Sequence, residues 1–355
     1  MSEFLLQPDI YASGSNKNLV EILENIWIKN IYPDDGDFYL LSGFGNYNGG
    51  VRFFQAFQNN VINGKKVIAV FGGKANFRQT SKQLIKRLLQ CGCEVWIVNR
   101  RKLFHSKCYG VGNADENNLV ITSGNFTGPG MTENVESSVW LEPSITKMIN
   151  FSWKELIEKI QLQNWDIRKP TLENRKDPAW HLLYDEYGEY DEGDYSQNYT
   201  MILTLGSADT ARIMADRNTP AGLGSQYFWL SKDCYDFFPP LDILNQRGLK
   251  ITNSCLIKLY YVDLDIMDEN SRVTFEAGNN VDFRLGTGKL RYEKIANNGD
   301  IAALSRISFK NYELRIFKKE SKDYNKLIPF AVRDIGNRGK KLGYIDNQKF
   351  KTITE

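Results

Sequence analysis

Histidine and long apolar runs are scarce in this chain of 355 residues. The chain contains only two histidines, His105 and His181. No apolar run approaches the ~18 residues that a membrane-spanning helix requires, and no signal peptide pattern is seen at the start of the sequence. We therefore expect a cytoplasmic protein, and the lack of a membrane segment disfavours an enzyme that processes lipids.

The five cysteines are also informative, because their number is odd and their spacing does not match a zinc site. Cys91 and Cys93 lie two residues apart, but the second pair that a structural zinc site requires is lacking. Buried or idle thiols of a reducing compartment are the simpler interpretation. We expect neither a metal nor any other cofactor.

The net charge of +2 conceals an uneven distribution along the chain. Residues 1–170 hold 19 basic and 16 acidic residues, residues 171–195 hold 2 and 8, and residues 196–355 hold 24 and 19. Two mildly basic regions therefore flank an acidic connector. Basic regions suit a polyanion such as DNA, although the excess of positive charge is small.

The length of the chain and its hydrophobic patterns indicate two domains of different class. In the first half, strands and helices alternate, which predicts an α/β layered sheet. The predicted helices are 18–29, 51–60, 80–90 and 151–163, and the predicted strands are 37–42, 66–72, 94–99, the segment around His105, 118–123 and 136–141. The second half has short apolar runs split by turn residues, which predict a small, mainly β barrel. These runs are 201–205, 227–230, 256–262, 272–276 and 313–317.

The segment around His105 carries the clearest chemical pattern. His105 and Lys107 lie two residues apart in a predicted strand, so their side chains share one face. The next predicted strand delivers the hydroxyl of Ser123 and, just past it, the carboxamide of Asn125. A neutral imidazole can attack phosphorus and be displaced later, while a lysine and an amide can hold the non-bridging oxygens. The set predicts phosphoryl transfer without a metal, although a His near a Lys is by itself usually accidental.

The longer pattern resembles the signature of the phospholipase D superfamily, which is His-x-Lys, then Gly-Ser-x-Asn, then a downstream Glu. Ser123 and Asn125 are in register with the second motif, Thr122 stands in place of its glycine, and Glu136 is the downstream acid. Without the family pattern, Glu136 would be interpreted as a surface carboxylate.

This sequence departs from the superfamily at the aspartate that often follows the lysine by five residues. Gly112 stands there, and Asp115 is a loop residue and a poor substitute. Several nuclease branches also lack this aspartate, so the resemblance to the superfamily stands without it.

Longer runs add a more specific resemblance, to the BfiI family of metal-independent type IIS restriction endonucleases. The runs are 42–44, 46–52, 123–131, 226–233, 284–292 and 336–340. The resemblance implies a phospholipase D-like nuclease and dimerisation domain at 1–170, an acidic linker at 171–198 and a B3-like DNA-binding pseudobarrel at 199–355. It also implies cleavage a few base pairs outside an asymmetric site such as 5′-ACTGGG-3′.

The superfamily combines two His-x-Lys motifs in one active site, where one histidine becomes a covalent phosphohistidine and the other protonates the leaving oxygen. This chain has one such motif. His181 has no lysine two residues further on, and we expect it to be packed. The second motif is therefore expected from a second chain, in a homodimer with one composite active site. Each subunit would contribute Lys107, Ser123, Asn125 and Glu136, with Glu136 orienting the imidazole of its own chain.

DNA recognition is expected in the C-terminal domain, in two long polar loops with basic residues, 207–224 and 272–284. Arginine reads guanine and asparagine reads adenine through paired hydrogen bonds, and the family's B3 domains grip the major groove with two such arms. The residues that we expect to contact bases are Arg212, Arg217, Arg272, Asn279 and Asn280. The residues that we expect to meet phosphates or to face water are Arg247, Lys289, Arg338, Lys340 and Lys341.

Three functions compete on these observations. The first is a sequence-specific, metal-independent endonuclease that acts on double-stranded DNA. The second is a DNA-binding regulator with a vestigial nuclease domain, against which the intact catalytic pattern argues. The third is a lipid or phosphodiester transferase of the same superfamily, against which the single His-x-Lys motif and the missing membrane segment argue.

Overall fold

The structure is a computed structural model that describes residues 2–29, 35–174, 176–188, 199–248, 250–278, 282–335 and 339–355. The chain divides into two compact units, Met1–Gly188 and Glu189–Glu355. Residues 171–188, which the sequence analysis assigns to the linker, are part of the first unit. None of the helices in the described ranges is long and apolar enough to cross a membrane.

The first unit is built on a mixed sheet with nine described strands. The strands are Glu3–Gln7 (β1), Tyr11–Ala12 (β2), Asp37–Ser42 (β3), Val67–Gly72 (β4), Glu94–Asn99 (β5), Lys107–Gly112 (β6), Leu119–Thr122 (β7), Glu136–Leu141 (β8) and Asp166–Arg168 (β9). Their order across the sheet is β2-β1-β8-β7-β6-β3-β4-β5-β9. Strands β3, β4 and β5 are parallel, and the other neighbours are antiparallel.

Helices cover this sheet on both faces. They are Leu19–Leu23 (α1, continued by a π-helical turn, Glu24–Ile28), Tyr47–Gly50 (α2), Phe54–Ile62 (α3), Lys82–Gln90 (α4), Gly128–Met131 (α5), Pro143–Met148 (α6) and Trp153–Gln161 (α7). Strand β4 is buried along its whole length, as expected for a parallel strand covered on both faces. On one face Trp153 of α7 stacks on Tyr39 with ring centroids 5.0 Å apart. On the other face Trp27 packs edge-on against Phe53 and Phe57, at 5.1 Å each.

The direction of the strands gathers the polar loops at one end of the sheet. Ser42, which ends β3, pairs with Lys107, which begins β6, and Thr122, which ends β7, pairs with Ser138 near the start of β8. The segments after β3, β4, β5 and β7 therefore meet those before β6 and β8; we call this the loop end. The hairpin 113–118 between β6 and β7 lies at the opposite end, which we call the hairpin end.

The predicted alternation of strands and helices in the first half is confirmed. The strands predicted at 37–42, 94–99 and 136–141 have the observed bounds. One difference matters for the site, because β6 begins at Lys107 and His105 lies before it. The short elements β1, β2, β9 and α6 have no counterpart in the sequence analysis.

The second unit is mainly β, as predicted, with ten described strands curled into a half-barrel. The strands are Tyr199–Thr204 (β10), Tyr227–Trp229 (β11), Ile243–Arg247 (β12), Lys250–Tyr261 (β13), Ile266–Glu276 (β14), Asp282–Gly286 (β15), Ile301–Arg306 (β16), Asn311–Phe317 (β17), Arg333–Ile335 (β18) and Lys340–Asp346 (β19). The main path is β11-β15-β14-β13-β17-β16-β10-β19-β18, and β12 pairs with β13. Its helices are Ser207–Met214 (α8), Lys322–Leu327 (α9) and Asn347–Thr354 (α10).

The expectation that 207–212 is a polar loop is wrong, because this segment forms most of α8. Asp209 begins the helix by accepting a hydrogen bond from the backbone N–H of Gly206 at 2.7 Å. Its side chain is almost fully buried, so a residue that looks like a loop acid in the sequence is a helix cap. The second predicted loop, 272–284, is a hairpin between β14 and β15.

Candidate active site and DNA-binding surface

His105 and Lys107 lie in contact at the loop end of the first sheet. The Lys107 Nζ is 2.9 Å from Nδ1 and 3.0 Å from Nε2 of the His105 ring. The expected proximity is therefore present, although His105 precedes the strand that was expected to contain it. The imidazole is exposed and the lysine half-buried, so the pair can meet a substrate from solvent.

The environment disfavours the protonated form of the imidazole. Burial lowers the pKa of His105 below its ordinary value of 6.5, and the Lys107 ammonium lowers it further. Burial also lowers the pKa of Lys107, while the Glu136 carboxylate opposes that shift. An imidazole with a lowered pKa has a free ring nitrogen near neutral pH, which a nucleophile at phosphorus requires.

The backbone around His105 is fixed by a buried glutamine. Gln79 is 1% exposed, and its Nε2 donates to the carbonyl oxygens of Gly43 at 3.2 Å and of Phe104 at 3.4 Å. Gly43 lies so close that a Cβ there would come within 3.0 Å of the His105 Cα. The Phe44 ring meets the imidazole edge-on, with centroids 5.9 Å apart. Gln79 was not among the predicted site residues, since no feature of the sequence distinguishes it from other glutamines.

Ser123 and Glu136 form a second polar group at the same end of the sheet. The Ser123 hydroxyl donates a short hydrogen bond to the Glu136 carboxylate, which also accepts from Asn134 Nδ2 at 3.2 Å. In the described residues these are the only hydrogen bonds of that carboxylate. The expected role of Glu136 in orienting the imidazole of its own chain is therefore not seen, and the acid instead lowers the positive potential at Lys107.

The carboxamide of Asn125 has a defined orientation. Its Oδ1 accepts a hydrogen bond from the backbone N–H of Phe44 at 3.2 Å. Because the oxygen is held by the backbone, the amide nitrogen is directed elsewhere and remains a donor. Since Phe44 also contacts the imidazole, one loop positions both His105 and Asn125.

His181 lies in a short turn, Pro178–Leu182. Its side chain is exposed, so the expectation that it is packed is wrong. No group of three or more histidine, cysteine or acidic side chains within the described ranges is arranged to hold a metal ion.

A basic groove of about 770 Å³ lies in the second unit, between the β14–β15 hairpin and the segment after α8. Arg212, Arg272 and Arg284 line it. The guanidinium groups of Arg212 and Arg284 lie 5.7 and 5.2 Å from the ring centroid of Tyr227. The Arg272 Nη1 donates to Ser254 Oγ at 2.8 Å. Lys250, Glu276 and Asp282 also line the groove, so its four cations outnumber its two acids.

The family to which this second unit belongs is shown by its sequence. Residues 193–355 match the family model described as the metal-independent restriction enzyme BfiI DNA binding domain. Over these residues the chain is related to BfiI. Its second unit is a BfiI-type DNA-binding domain, and DNA is its partner.

Solved structures similar to the chain include three bacterial proteins. A phospholipase D family member, Nuc from Salmonella typhimurium, is 16% identical with a TM-score of 0.34, over 48% of this chain and 98% of that one. NucT from Helicobacter pylori is 13% identical with a TM-score of 0.32, over 45% and 95%. Polyphosphate kinase from Porphyromonas gingivalis is 14% identical with a TM-score of 0.30, over 44% and 23%. Each similarity is weak, and the comparison with curated proteins gives no match.

The BfiI-type domain places the predicted DNA-reading residues in several environments. Arg212 and Arg272 line the groove, and the Arg212 Nε donates to the Leu223 carbonyl at 2.7 Å. Arg217 and Lys289 are exposed, with the Arg217 guanidinium 5.8 Å from the Tyr292 ring. Asn279, Asn280 and Arg338 lie outside the described residues, as does the side chain of Arg247.

Lys340 requires a correction, because it does not face water. Its ammonium lies 2.8 and 2.9 Å from the two carboxylate oxygens of Asp209, and it also donates to the carbonyl of Trp229. Both side chains are buried, with 11% and 1% exposed. Lys340 therefore joins β19 to α8 and β11, whereas its neighbour Lys341 is 46% exposed.

Proposed function

We propose that this chain is a type IIS restriction endonuclease that cuts DNA without a metal, a few base pairs outside an asymmetric site. The observation that carries the proposal is the His105–Lys107 contact at the loop end of the first sheet, beside Ser123, Asn125 and Glu136. Because the same chain carries a BfiI-type DNA-binding domain, we infer that the phosphodiester substrate is DNA. The resemblance to the BfiI family adds a phospholipase D-like fold for the first unit, a B3-like fold for the second and the candidate site 5′-ACTGGG-3′. A cytoplasmic location is proposed from the sequence pattern.

In the first proposed step, a ring nitrogen of His105 attacks the scissile phosphorus. A P–N bond forms and a P–O bond to the sugar breaks, while the leaving oxygen takes a proton from a second imidazolium. Lys107 and the Asn125 amide stabilise the non-bridging oxygens as negative charge accumulates. The lowered pKa of His105 supports its role as the neutral nucleophile.

In the second proposed step, water attacks the phosphohistidine. The P–N bond breaks, the water oxygen joins phosphorus, and the second imidazole takes the proton that water loses. His105 is thereby returned to its neutral form. Two histidines and water therefore account for every bond and every proton of the hydrolysis.

The second imidazole is proposed to come from a second copy of the chain. The chain has one His-x-Lys motif, and His181 lacks the neighbouring lysine. A two-fold axis through the site would bring both copies of His105 to one phosphate, in a homodimer formed through residues 1–170. In such a dimer Glu136 would act on the network of Ser123 and Asn134 and on the charge at Lys107.

The basic groove is proposed to read the target sequence. Arg212 and Arg272 line it and are candidates for bidentate contacts to guanine. Asn279, Asn280, Arg217 and Arg247 are proposed as further DNA contacts, and Lys289, Arg338 and Lys341 as phosphate contacts. Lys340 is not included, because Asp209 already holds its ammonium.

Plasmid cleavage in the presence of EDTA tests the proposed function. We expect discrete fragments from the parent chain, because imidazole and ammonium groups supply the charge that magnesium supplies elsewhere. His105→Ala should remove cleavage while site-specific binding persists, and His181→Ala is the matched control that should still cut. A strict magnesium requirement, or cutting by His105→Ala, would contradict the mechanism. Binding without cleavage by the parent would indicate a regulator, and activity on phosphatidyl esters alone a lipase.

A further inference from the structure

The charges of the first unit are strongly segregated along the sequence. Residues 38–114 contain twelve lysines and arginines and a single acidic residue, Glu94. Glu94 is itself paired with Lys169, at 2.7 Å. This segment runs from the second residue of β3 to just beyond β6, so it includes the loops after β3, β4 and β5 at the loop end where His105 lies.

Two loops in this segment flank the catalytic pair. One, 73–78, follows β4, and the other, 100–104, follows β5 and leads directly into His105. Because β3, β4 and β5 are parallel, both loops lie at the loop end of the sheet. The Nζ of Lys74 in the first loop donates to the carbonyl of Arg101 in the second at 3.0 Å, so the two loops are joined.

The cations of these loops are arranged towards solvent. Arg101 and Lys102 are exposed, and within the described ranges neither forms an ion pair. The Arg100 guanidinium lies 4.5 Å from the Trp165 ring centroid, and Lys74 lies 5.5 Å from that of Phe77. Contacts to rings fix a guanidinium or an ammonium without neutralising it.

The hairpin end of the same sheet carries acids beside its cations. Asp35 and Asp37 lie at the start of β3, and Asp115 and Glu116 lie in the hairpin between β6 and β7. Asp35 pairs there with Lys65 at 2.9 Å. The cations of the hairpin end are therefore partly neutralised, whereas the exposed Arg101 and Lys102 at the loop end would attract a polyanion towards His105.

We propose that Lys74, Arg100, Arg101 and Lys102 form a binding site for the DNA backbone, which we call the basic shoulder. The proposal rests on the proposed function and adds where the nuclease unit holds its substrate. Strands are about 4.8 Å apart, so β4 and β5 lie roughly 10 and 14 Å from β6. One strand of DNA advances about 3.4 Å per phosphate, so the basic shoulder contacts phosphates about three to four nucleotides from the scissile one.

The experiment measures binding of a duplex without the target site to the full chain, by fluorescence anisotropy over a series of NaCl concentrations. Every variant carries His105→Ala, so cleavage does not enter the readout. Arg101→Ser/Lys102→Ser removes two charges of the basic shoulder. Lys147→Ser/Lys154→Ser removes two exposed charges beside the hairpin end, where the neighbouring Thr146 and Trp153 bond to Asn117. Thermal unfolding by circular dichroism checks that both variants remain folded.

The slope of log K against log salt should fall by roughly 1.8 in the shoulder variant, which corresponds to about 0.9 per lost phosphate contact, and should not change in the control. Equal slopes in the two variants would overturn the basic shoulder. With His105 restored, Arg101→Ser/Lys102→Ser should also cut target plasmid at least tenfold more slowly than the parent chain at moderate salt. If the slope falls in the shoulder variant but the parent chain does not cut plasmid, the basic shoulder stands and the proposed function is rejected. If the parent cuts plasmid but the two variants have equal slopes, the proposed function stands and the basic shoulder is rejected.

Discussion

At the scale of single residues, the His105–Lys107 contact relates charge to reactivity. An ammonium 2.9 Å from an imidazole nitrogen disfavours a second positive charge on the ring. The same group that is proposed to hold the phosphate thus helps to lower the pKa of the proposed nucleophile. The superfamily pattern named both residues from the sequence, whereas the loop position of His105 follows from the pairing of β3 with β6.

Lys107→Gln should raise the pKa of His105 towards 6.5, because the smaller of its two lowering causes is removed while burial remains. The protonated fraction then rises at mildly acidic pH, so any residual cleavage should be lost at a higher pH than in the parent. NMR titration can follow this, since the chain has only two histidines. Lys154→Gln, at the far end, should leave the titration of His105 unchanged. A His105 pKa that stays constant or falls would contradict this account.

Gln79→Leu should slow cleavage by up to about a hundredfold, the cost of displacing a reacting group by roughly 1 Å. Leucine fills a similar volume but leaves the carbonyls of Gly43 and Phe104 without their donor, so the His105 backbone is released. The effect should fall on kcat more than on KM, and the NMR titration of His105 should shift. Gln90→Leu, an exposed position at the end of α4, is the control. Normal kcat in Gln79→Leu would show that the hydrogen bonds do not position the imidazole.

At the scale of elements, the sequence predicts best those strands and helices that are stabilised by burial of a local apolar pattern. Apolar runs such as 37–42 and 94–99 predict their strands, because burial of those side chains is local to the pattern. The helix α8 was missed because Ser207–Arg212 is polar and small, and because Asp209, which caps the helix at Gly206, is paired with Lys340, which lies far away in sequence. The short strands β1, β2 and β9 were missed for a related reason, since each depends on pairing with a neighbour.

The Asp209–Lys340 pair gives a stability prediction for these elements. Lys340→Ala leaves a buried carboxylate without its partner, so the free energy of unfolding should fall by about 3–5 kcal/mol. Burial already lowers the pKa of Lys340, against the effect of Asp209. Urea denaturation followed by circular dichroism measures the loss. Lys341→Ala, the exposed neighbour, should change stability by less than about 0.5 kcal/mol, and equal losses in the two variants would contradict the buried pair.

At the scale of the whole molecule, the acidic connector begins on the first unit itself. The Glu186 carboxylate accepts from the backbone N–H of Tyr47, the first residue of α2, at 2.8 Å. Gln83 donates to Asp185 at 2.6 Å and accepts from the Glu186 backbone at 3.0 Å. The other four connector acids, Glu189, Asp191, Glu192 and Asp194, lie outside the described residues. The connector is therefore attached to the first unit before it reaches the second.

Removing the six connector charges should raise cutting of DNA that lacks the target. The acids would otherwise compete with phosphate for the basic loop end, so a variant with Asn or Gln at 185, 186, 189, 191, 192 and 194 should nick such plasmids faster than the parent at matched salt. Two variants that each remove two acids are compared as a control for net charge. One is Glu155→Gln/Glu158→Gln on α7, and the other is Asp185→Asn/Glu186→Gln in the connector. Nicking at the parental rate by the sixfold variant would make the connector only a spacer.

The hairpin between β6 and β7 has a practical consequence. Its turn is closed locally, since Asn113 Oδ1 accepts from the backbone N–H groups of Asp115 and Glu116 at 2.9 and 2.8 Å. Every proposed catalytic residue lies at the other end of the sheet, and Ala114 is exposed. Position 114 is therefore a place to attach a fluorophore or insert a peptide tag, from which the enzyme can be immobilised or tracked with its reactive end left open to DNA.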